Sequence, residues 1–272
     1  MEAHSQQPHL ERPRLCNRKA RVCPNQIMEI SMTTRKTVII TGASQGIGAG
    51  LVNAFIQRDY NVVATSRQVS ASEAFQASDR LALVDGDIGD AETAALVART
   101  AIDRFGSIDA LVNNAGIFLA KPFVEFTMAD FEKLSSTNLE GFIHLTQQVV
   151  RQMLAQKTGG SVVSITTPLT DHPIAGFSAS VSMMTKGGIN AISKNLAMEY
   201  ANERIRFNIV APGVVDTPLH KDNPKDFLST LSPMAGISNV EEIADAVVFL
   251  TEAPRVTGEA LHVDGGAHLG RW

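Results

Sequence analysis

A glycine-rich turn with the spacing of a phosphate-binding loop opens the regular part of the sequence. Residues 41–48 follow the pattern T-G-x-x-x-G-x-G and lie between an apolar run and an amphipathic stretch. Glycines permit a sharp turn, let backbone approach a pyrophosphate, and bring the next helix close to the sheet. The helix N-terminus then offers free N–H groups to phosphate oxygens. The pattern favours a dinucleotide site over a purely structural turn, and its contacts are Gly42, Ser44, Gln45, Gly46, Ile47 and Gly48.

Two residues after the second apolar run bear on which dinucleotide is bound. An NAD site has an acidic residue at this strand end, which binds the ribose hydroxyl groups. Here Ser66 stands at that point and Arg67 follows it. A neutral residue followed by arginine favours the 2′-phosphate of NADP(H), while NAD stays possible and a solvated arginine is the alternative.

Further residues at strand ends fit the same ligand. Asp87 and Ile88 follow the third apolar run, where an adenine ring could rest. Asn114, Ala115 and Gly116 follow the fourth, and their small size permits close approach of a ribose. Because ligands of open α/β sheets bind beyond the carboxyl ends of the strands, these residues are expected to meet at one edge.

Apolar runs alternate with amphipathic stretches along the chain, which predicts a parallel sheet covered by helices on both faces. This is an α/β fold: a single-domain, Rossmann-type, doubly wound sheet in three layers, spanning residues 35–272. Helices are predicted over 46–58, 90–104, about 139–153, from an N-cap at Ser178 to about Ala201, and over 239–251. Strands are predicted over 36–41, 61–65, 81–84, 110–112, 162–165, 205–210 and 260–263.

Bulk properties restrict the class of protein. The 272 residues suit one large domain, and the net charge of −4 gives no reason to expect a nucleic-acid partner. No apolar run has the roughly 20 residues of a membrane helix. The only cysteines, Cys16 and Cys23, match no zinc or redox spacing, so we expect no metal site and a reducing cytoplasm. Residues 1–34 are polar and proline-containing, which predicts a disordered tail.

In combination these segments resemble the short-chain dehydrogenase/reductase family from about Lys36 to Gly266. The cofactor turn, Asp87, and the N-N-A-G element at residues 113–116 match the family's motifs in order. The resemblance implies that Asn138 holds a proton-relay water. It also implies that Pro212, Val215 and Thr217 bind the nicotinamide carboxamide. The T-G and D-G-G elements at residues 257–258 and 264–266 match the family's C-terminal ending.

The sequence departs from the family where the family places its catalytic tyrosine. The Y-x-x-x-K lysine, which also binds the nicotinamide ribose, corresponds to Lys186, but four residues earlier stands Ser182. The chain's only tyrosines, Tyr60 and Tyr200, lie elsewhere. Thr167 takes the place of the family's catalytic serine, with Thr166 as a neighbouring candidate. An aliphatic hydroxyl is a far weaker acid than a phenol, whose pKa is near 10. The candidate catalytic set is therefore Asn138, Thr167, Ser182 and Lys186.

Three functions remain open from the sequence. The protein is an NAD(P)(H)-dependent oxidoreductase with an altered proton relay, to which Ser182 or His172 contributes. Alternatively it binds the cofactor as a sensor or assembly subunit with little chemistry, or it catalyses a reaction that needs no tyrosine. The resemblance implies a small carbonyl or alcohol substrate, a lid near residues 218–237, and a homotetramer or dimer. Candidate pocket residues are Phe118, Leu169, Phe177 and Met183.

Overall fold

A computed structural model describes residues 35–270 and shows one parallel sheet between two layers of helices. The predicted tail therefore lies outside the described residues. The strands are β1 (Thr37–Thr41), β2 (Asn61–Ser66), β3 (Leu81–Asp85), β4 (Ala110–Asn113), β5 (Gly160–Ile165), β6 (Ile205–Pro212) and β7 (Ala260–Val263). The helices are α1 (Gly46–Gln57), α2 (Ala91–Phe105), α3 (Met128–Ser135), α4 (Gly141–Gln156), α5 (Ser180–Glu199), α6 (Lys225–Ser229) and α7 (Val240–Glu252).

The strand order is β3-β2-β1-β4-β5-β6-β7, and every pairing is parallel. The chain turns back between β1 and β4, so the carboxyl ends of these two strands form the crevice where such sheets bind ligands. The predicted fold class is confirmed, because the seven predicted strands all form and pair in this order. Strands β1 and β6 carry no exposed residue, as expected for strands covered on both faces.

Two apolar clusters hold the layers together, one on each face of the sheet. On one face Leu51 and Phe55 of α1 and Val247 of α7 pack on the strands. On the other, Val97 of α2 and Leu145 of α4 do so. Burying each such side chain contributes about 1.5–3 kcal/mol relative to exposure, so both helix layers hold the strand ends in fixed positions.

One local prediction is wrong, and two helices of the structure were not predicted. Helix α5 begins at Ser180 with Ala179 as its N-cap, so the prediction of Ser178 as N-cap is wrong; Ser178 is exposed and no side chain caps this helix. Helices α3 and α6 were not predicted, and a π-turn over Ser136–Glu140 joins α3 to α4. No helix among residues 35–270 is long and apolar enough to cross a membrane.

Candidate active site

The glycine-rich turn connects the end of β1 to α1 and has no room for a side chain at Gly42 or Gly48. Gly42 and Gly46 have φ of 64° and 56°, the left-handed region that favours glycine. A Cβ on Gly48 would stand 2.2 Å from the Gly42 carbonyl oxygen, and one on Gly42 would stand 2.8 Å from Ala115 Cα. Gln45 is the extended N-cap of α1 and offers no side-chain cap, so the first N–H groups of the helix stay available. The turn therefore fits a pyrophosphate.

The turn is fastened to the end of β4 by Thr41 and Asn114. The Thr41 hydroxyl accepts hydrogen bonds from the Asn114 and Ala115 N–H groups, at 3.0 and 2.9 Å. The Asn114 amide nitrogen donates to the carbonyl oxygens of Thr41 and Gly42, at 2.9 and 3.1 Å. These hydrogen bonds hold the ends of β1 and β4 together at the crevice. The sequence predicted only small residues in the N-A-G segment and did not predict these contacts.

The expected adenosine end lies beyond β2 and β3. Arg67 is exposed and makes no hydrogen bond or ion pair with residues 35–270, so its guanidinium is available to an anion. The Asp85 carboxylate is held by the Ser70 hydroxyl and N–H group, and these hydrogen bonds lower its pKa. Asp87 is exposed and accepts from the Gly89 N–H group, and Ile88 beside it is buried. The predicted contact residues therefore lie at neighbouring strand ends.

The expected nicotinamide end lies after β6. Pro212 ends β6, and the buried Val215 forms an isolated bridge with Ser238. The side chain of Thr217 reaches the glycine turn, because a Cβ on Gly46 would stand 3.3 Å from the Thr217 Cβ. The structure thus brings the N-terminal turn and the element after β6 into one crevice, as the resemblance implies.

Lys186 lies on α5 with its amine in the crevice. Its Nζ donates to the Ile165 carbonyl oxygen at 2.9 Å, and Gly116 lies close, because a Cβ there would stand 2.9 Å from Nζ. Burial lowers the pKa of Lys186 to about 8. An amine with that pKa can exchange a proton near neutral pH.

The hydroxyl and amide groups near Lys186 differ in what they contact. Asn138 lies in the π-turn, is buried, and hydrogen-bonds Ile117 and Thr185. Ser182 has no exposed surface, and its hydroxyl hydrogen-bonds Leu119. Thr167 follows β5, is partly exposed, and accepts weakly from the Leu169 N–H group at 3.4 Å. Of these candidates, Thr167 and Lys186 are partly exposed, whereas Asn138 and Ser182 are buried.

An apolar cleft of about 430 Å³ lies beside these residues, between the segment after β5 and the start of α5. Leu169, Phe177 and Met183 line it, in agreement with the prediction. Phe118 stacks on Phe177 with ring centroids 6.0 Å apart and so supports its wall. The cleft suits a small, largely apolar molecule.

A cluster of three histidines borders the same segment and was not predicted. His262 of β7 stacks on His268 with centroids 4.0 Å apart, and His172 lies 6.5 and 5.8 Å from these two rings. The His268 Nδ1 atom lies 3.0 Å from the buried Asp264 carboxylate. Within the described range, residues 35–270, no group of side chains has the geometry of a metal site. His172 thus packs on the C-terminal segment, a contact between residues distant in sequence that periodicity does not reveal.

Comparison with known families agrees with this geometry. A model of short-chain dehydrogenases, described as enoyl-(acyl carrier protein) reductase, matches residues 42–268. The chain belongs to the short-chain dehydrogenase/reductase family, which is a family of nicotinamide-dependent oxidoreductases. It is 33% identical to carbonyl reductase family member 4 of Xenopus laevis over 236 residues, which are 86% of this chain and 98% of that one. It is 31% identical to L-xylulose reductase of Mesocricetus auratus over 247 residues, 88% of this chain and 98% of the relative.

Solved structures share the fold over the same range. ElxO with NADP bound superposes with a TM-score of 0.80 at 27% identity, covering 87% of this chain and all of ElxO. The 3-ketoacyl-(acyl-carrier-protein) reductase from Brucella melitensis, complexed with NADH, gives 0.79 at 27% identity, covering 86% and 98%. These neighbours hold nicotinamide cofactors with and without the 2′-phosphate, which supports a nicotinamide cofactor for this chain.

Proposed function

We propose that the protein is an oxidoreductase that transfers a hydride between NADP(H) and a small carbonyl or alcohol, with a proton relay that lacks the family's tyrosine. The observation that carries the proposal is the meeting of Gly46, Thr217 and the Lys186 amine in one crevice beside an apolar cleft. A protein that only held the cofactor would have less need of the contact at the nicotinamide end. The relatives named above act on carbonyl compounds by name, which supports this substrate class.

The residues of the chain take the following proposed roles. The glycine turn binds the pyrophosphate through N–H groups, and Lys186 binds the nicotinamide ribose. When bound, the dinucleotide supplies the hydride. Thr167 orients the substrate oxygen, since it is partly exposed and its hydroxyl contacts Leu169, which lines the cleft. Asn138 supports the relay through its contacts with Ile117 and Thr185.

The expected reaction is tested by following NADPH oxidation with aldehydes, ketones, quinones and enoyl compounds. Cofactor binding is measured in parallel by NADPH fluorescence titration. Turnover of at least one class with intact binding supports the proposal. No turnover across the panel, with binding intact, would favour the second candidate, a cofactor-binding sensor or assembly subunit. That candidate gains support from a tyrosine-to-phenylalanine variant of ElxO, which is solved with NADPH bound.

Cofactor preference depends on Arg67 in this proposal. Replacing Arg67 by Ala should weaken NADPH binding about tenfold or more and change NADH binding little, because only NADPH carries the 2′-phosphate. Both dissociation constants are measured by fluorescence titration. Arg99 of α2 is exposed and serves as the control for loss of a positive charge. Equal weakening of both cofactors by Arg67→Ala would rule out the phosphate contact.

The remaining proposals concern the binding partners, the cellular compartment and the oligomeric state of the protein. The substrate is a small molecule, without nucleic acid or membrane as partner. Two cysteines in 272 residues suit a reducing cytoplasm. A homo-oligomer, tetramer or dimer, is proposed from the family resemblance.

A further inference from the structure

Two side chains hold the segment that follows β4, and each makes two hydrogen bonds to one residue of it. The Asn138 amide accepts from the Ile117 N–H group at 2.9 Å and donates to the Ile117 carbonyl oxygen at 3.0 Å. The Ser182 hydroxyl accepts from the Leu119 N–H group at 2.9 Å and donates to the Leu119 carbonyl oxygen at 2.8 Å. In an antiparallel sheet, a neighbouring strand forms the same pair of hydrogen bonds, to the N–H and C=O groups of every second residue. We call this arrangement the 117–119 clamp.

The clamp is one connected and buried network. The Asn138 amide also donates to the Thr185 hydroxyl at 3.0 Å, and that hydroxyl donates to the Ser182 carbonyl oxygen at 2.9 Å. Asn138 is 2% exposed, and Ser182 and Thr185 are fully buried. A substrate in the cleft therefore has no contact with the Ser182 hydroxyl.

The hydrogen bonds of Ser182 also make it unsuitable as an acid. Its single proton is directed at the Leu119 carbonyl oxygen, and no other hydrogen-bond partner of Leu119 occurs in residues 35–270. Transfer of that proton would leave the partly buried Leu119 carbonyl group without its donor, which is unfavourable. The position that carries the family's acid is thus used for support.

Lys186 lies one helical turn after Ser182 and has protons to give. An ammonium group has three N–H donors, and the Ile165 carbonyl oxygen takes one of them. Gly116 precedes the clamped segment, and because it has no side chain, the space beside Nζ stays open. The clamp therefore fixes the backbone that faces the amine.

We propose that the Lys186 ammonium donates the proton directly to the substrate oxygen, and that Ser182 is a positioning residue that holds Gly116 and residues 117–119 against it. The inference rests on the proposed function. The carbonyl carbon receives a hydride from a reduced nicotinamide dinucleotide, and the π pair moves to oxygen. The oxygen takes a proton from Nζ, and the neutral amine regains one from water.

The pH dependence follows from the burial of the amine. Because the pKa of Lys186 is lowered to about 8, carbonyl reduction should lose rate as the pH rises through about 8, and alcohol oxidation should gain rate. Asp and Glu side chains are absent from the hydrogen-bond partners of Nζ in residues 35–270. Desolvation is the sole cause of the lowered pKa.

The experiment compares Ser182→Ala and Lys186→Met in the full chain with two controls on the same helix. Ser193→Ala removes a buried hydroxyl that has no hydrogen-bond partner, and Lys194→Met removes an exposed charge. The measurements are kcat and KM against pH for the best carbonyl substrate, NADPH affinity, and amide hydrogen exchange of Leu119. Both controls should match the wild type.

The proposal expects a clear separation between the two site variants. Ser182→Ala should lower kcat by no more than about tenfold, keep the fall near pH 8, and speed exchange at Leu119 by tenfold or more. Lys186→Met should lose roughly 10²–10⁴-fold in kcat and lose the pH dependence near 8. Ser182→Thr, which retains the hydroxyl, should restore protection of Leu119.

Three results would overturn the proposal. A 100-fold loss of kcat in Ser182→Ala with unchanged Leu119 exchange would make Ser182 the acid. A pH profile that survives in Lys186→Met would place the proton donor elsewhere. Absence of turnover in the wild type would overturn the proposed function, and the proton donor with it, whereas exchange at Leu119 still decides the role of Ser182.

Discussion

The Asn114 side chain joins the cofactor turn to the end of β4 through its hydrogen bonds to the Thr41 and Gly42 carbonyl oxygens. These bonds hold the turn in the shape that presents N–H groups to a pyrophosphate before any ligand binds. A binding loop that is ordered in advance loses less entropy on binding. The affinity for the dinucleotide should therefore depend on a residue with no assigned contact to phosphate.

Replacing Asn114 by Ala should weaken NADPH binding about tenfold and lower the free energy of unfolding by about 2 kcal/mol, because two neutral hydrogen bonds are lost. Fluorescence titration and urea unfolding measure the two effects. Asn195→Ala is the control, since Asn195 is exposed on α5 and bonds only its own helix. An unchanged NADPH dissociation constant in Asn114→Ala would show that the turn holds its shape without this contact.

Residue spacing predicts where side chains lie along the chain but not what they face. The pattern placed Ser182 one turn before Lys186 correctly, and both lie on α5. It could not show that the Ser182 hydroxyl meets Leu119, because that contact spans 63 residues and depends on the path of the loop after β4. The contacts of Asn114 with the turn span 72 and 73 residues and were missed for the same reason.

At the scale of elements, the strands were predictable because burial on both faces leaves nearly continuous apolar runs. Helix α3 was not, because its sequence over Met128–Ser135 buries only Leu134 and Ser135. It begins instead with a capping box between Thr127 and Asp130. Ends of elements are determined by such local hydrogen bonds as much as by periodicity. At α5 no side chain caps the helix and the N-cap is Ala179, so the capping preference of serine predicted the wrong residue, Ser178.

The segment after β5, which carries the cleft wall, is packed on the C-terminal segment through histidines. Burial lowers the pKa of His262, with the neighbouring His268 and His172 acting in the same direction and Asp264 and Asp171 opposing. The folded chain thus excludes a proton that the unfolded chain binds below the ordinary pKa of about 6.5. The free energy of unfolding therefore keeps its full value at neutral pH, and it falls as the pH drops below about 6.5, where only the unfolded chain binds this proton.

The melting temperature should accordingly fall by a few degrees from about pH 7.5 to about pH 5.5. The melting temperature of the His262→Phe variant should fall less over the same range. Phenylalanine keeps a ring against His268 but cannot be protonated. Differential scanning fluorimetry across pH measures both proteins. His220→Gln, outside the cluster, should keep the wild-type acid sensitivity. If His262→Phe is as acid-sensitive as the wild type, other groups cause the loss.

For the whole molecule, exposed apolar side chains on three helices bear on how copies of the chain assemble. Helix α7 exposes Phe249 by 56%, and α4 exposes Ile143 by 40%. On α5, Met184 and Met198 are 54% and 79% exposed. Single exposed apolar side chains are ordinary, but α4 and α5 resemble the helices of the family's dimer face. The C-terminal segment resembles the family's second interface, and we extend that resemblance to α7. Two separate contact faces per chain would build a tetramer from two kinds of pair, whereas either face alone gives a dimer.

Replacing Phe249 by Arg should therefore convert a tetramer of the 29.2 kDa chain into dimers, because a charge would be buried unpaired at one face while the other stays intact. Light scattering on the eluting protein measures the mass, and NADPH affinity should stay unchanged, since α7 supplies no predicted cofactor contact. Leu96→Arg on α2, where the side chain is 43% exposed, introduces the same charge away from both faces and should leave the tetramer intact. A tetramer that persists in Phe249→Arg would move the second interface away from α7, and a monomeric wild type would reject the assembly altogether.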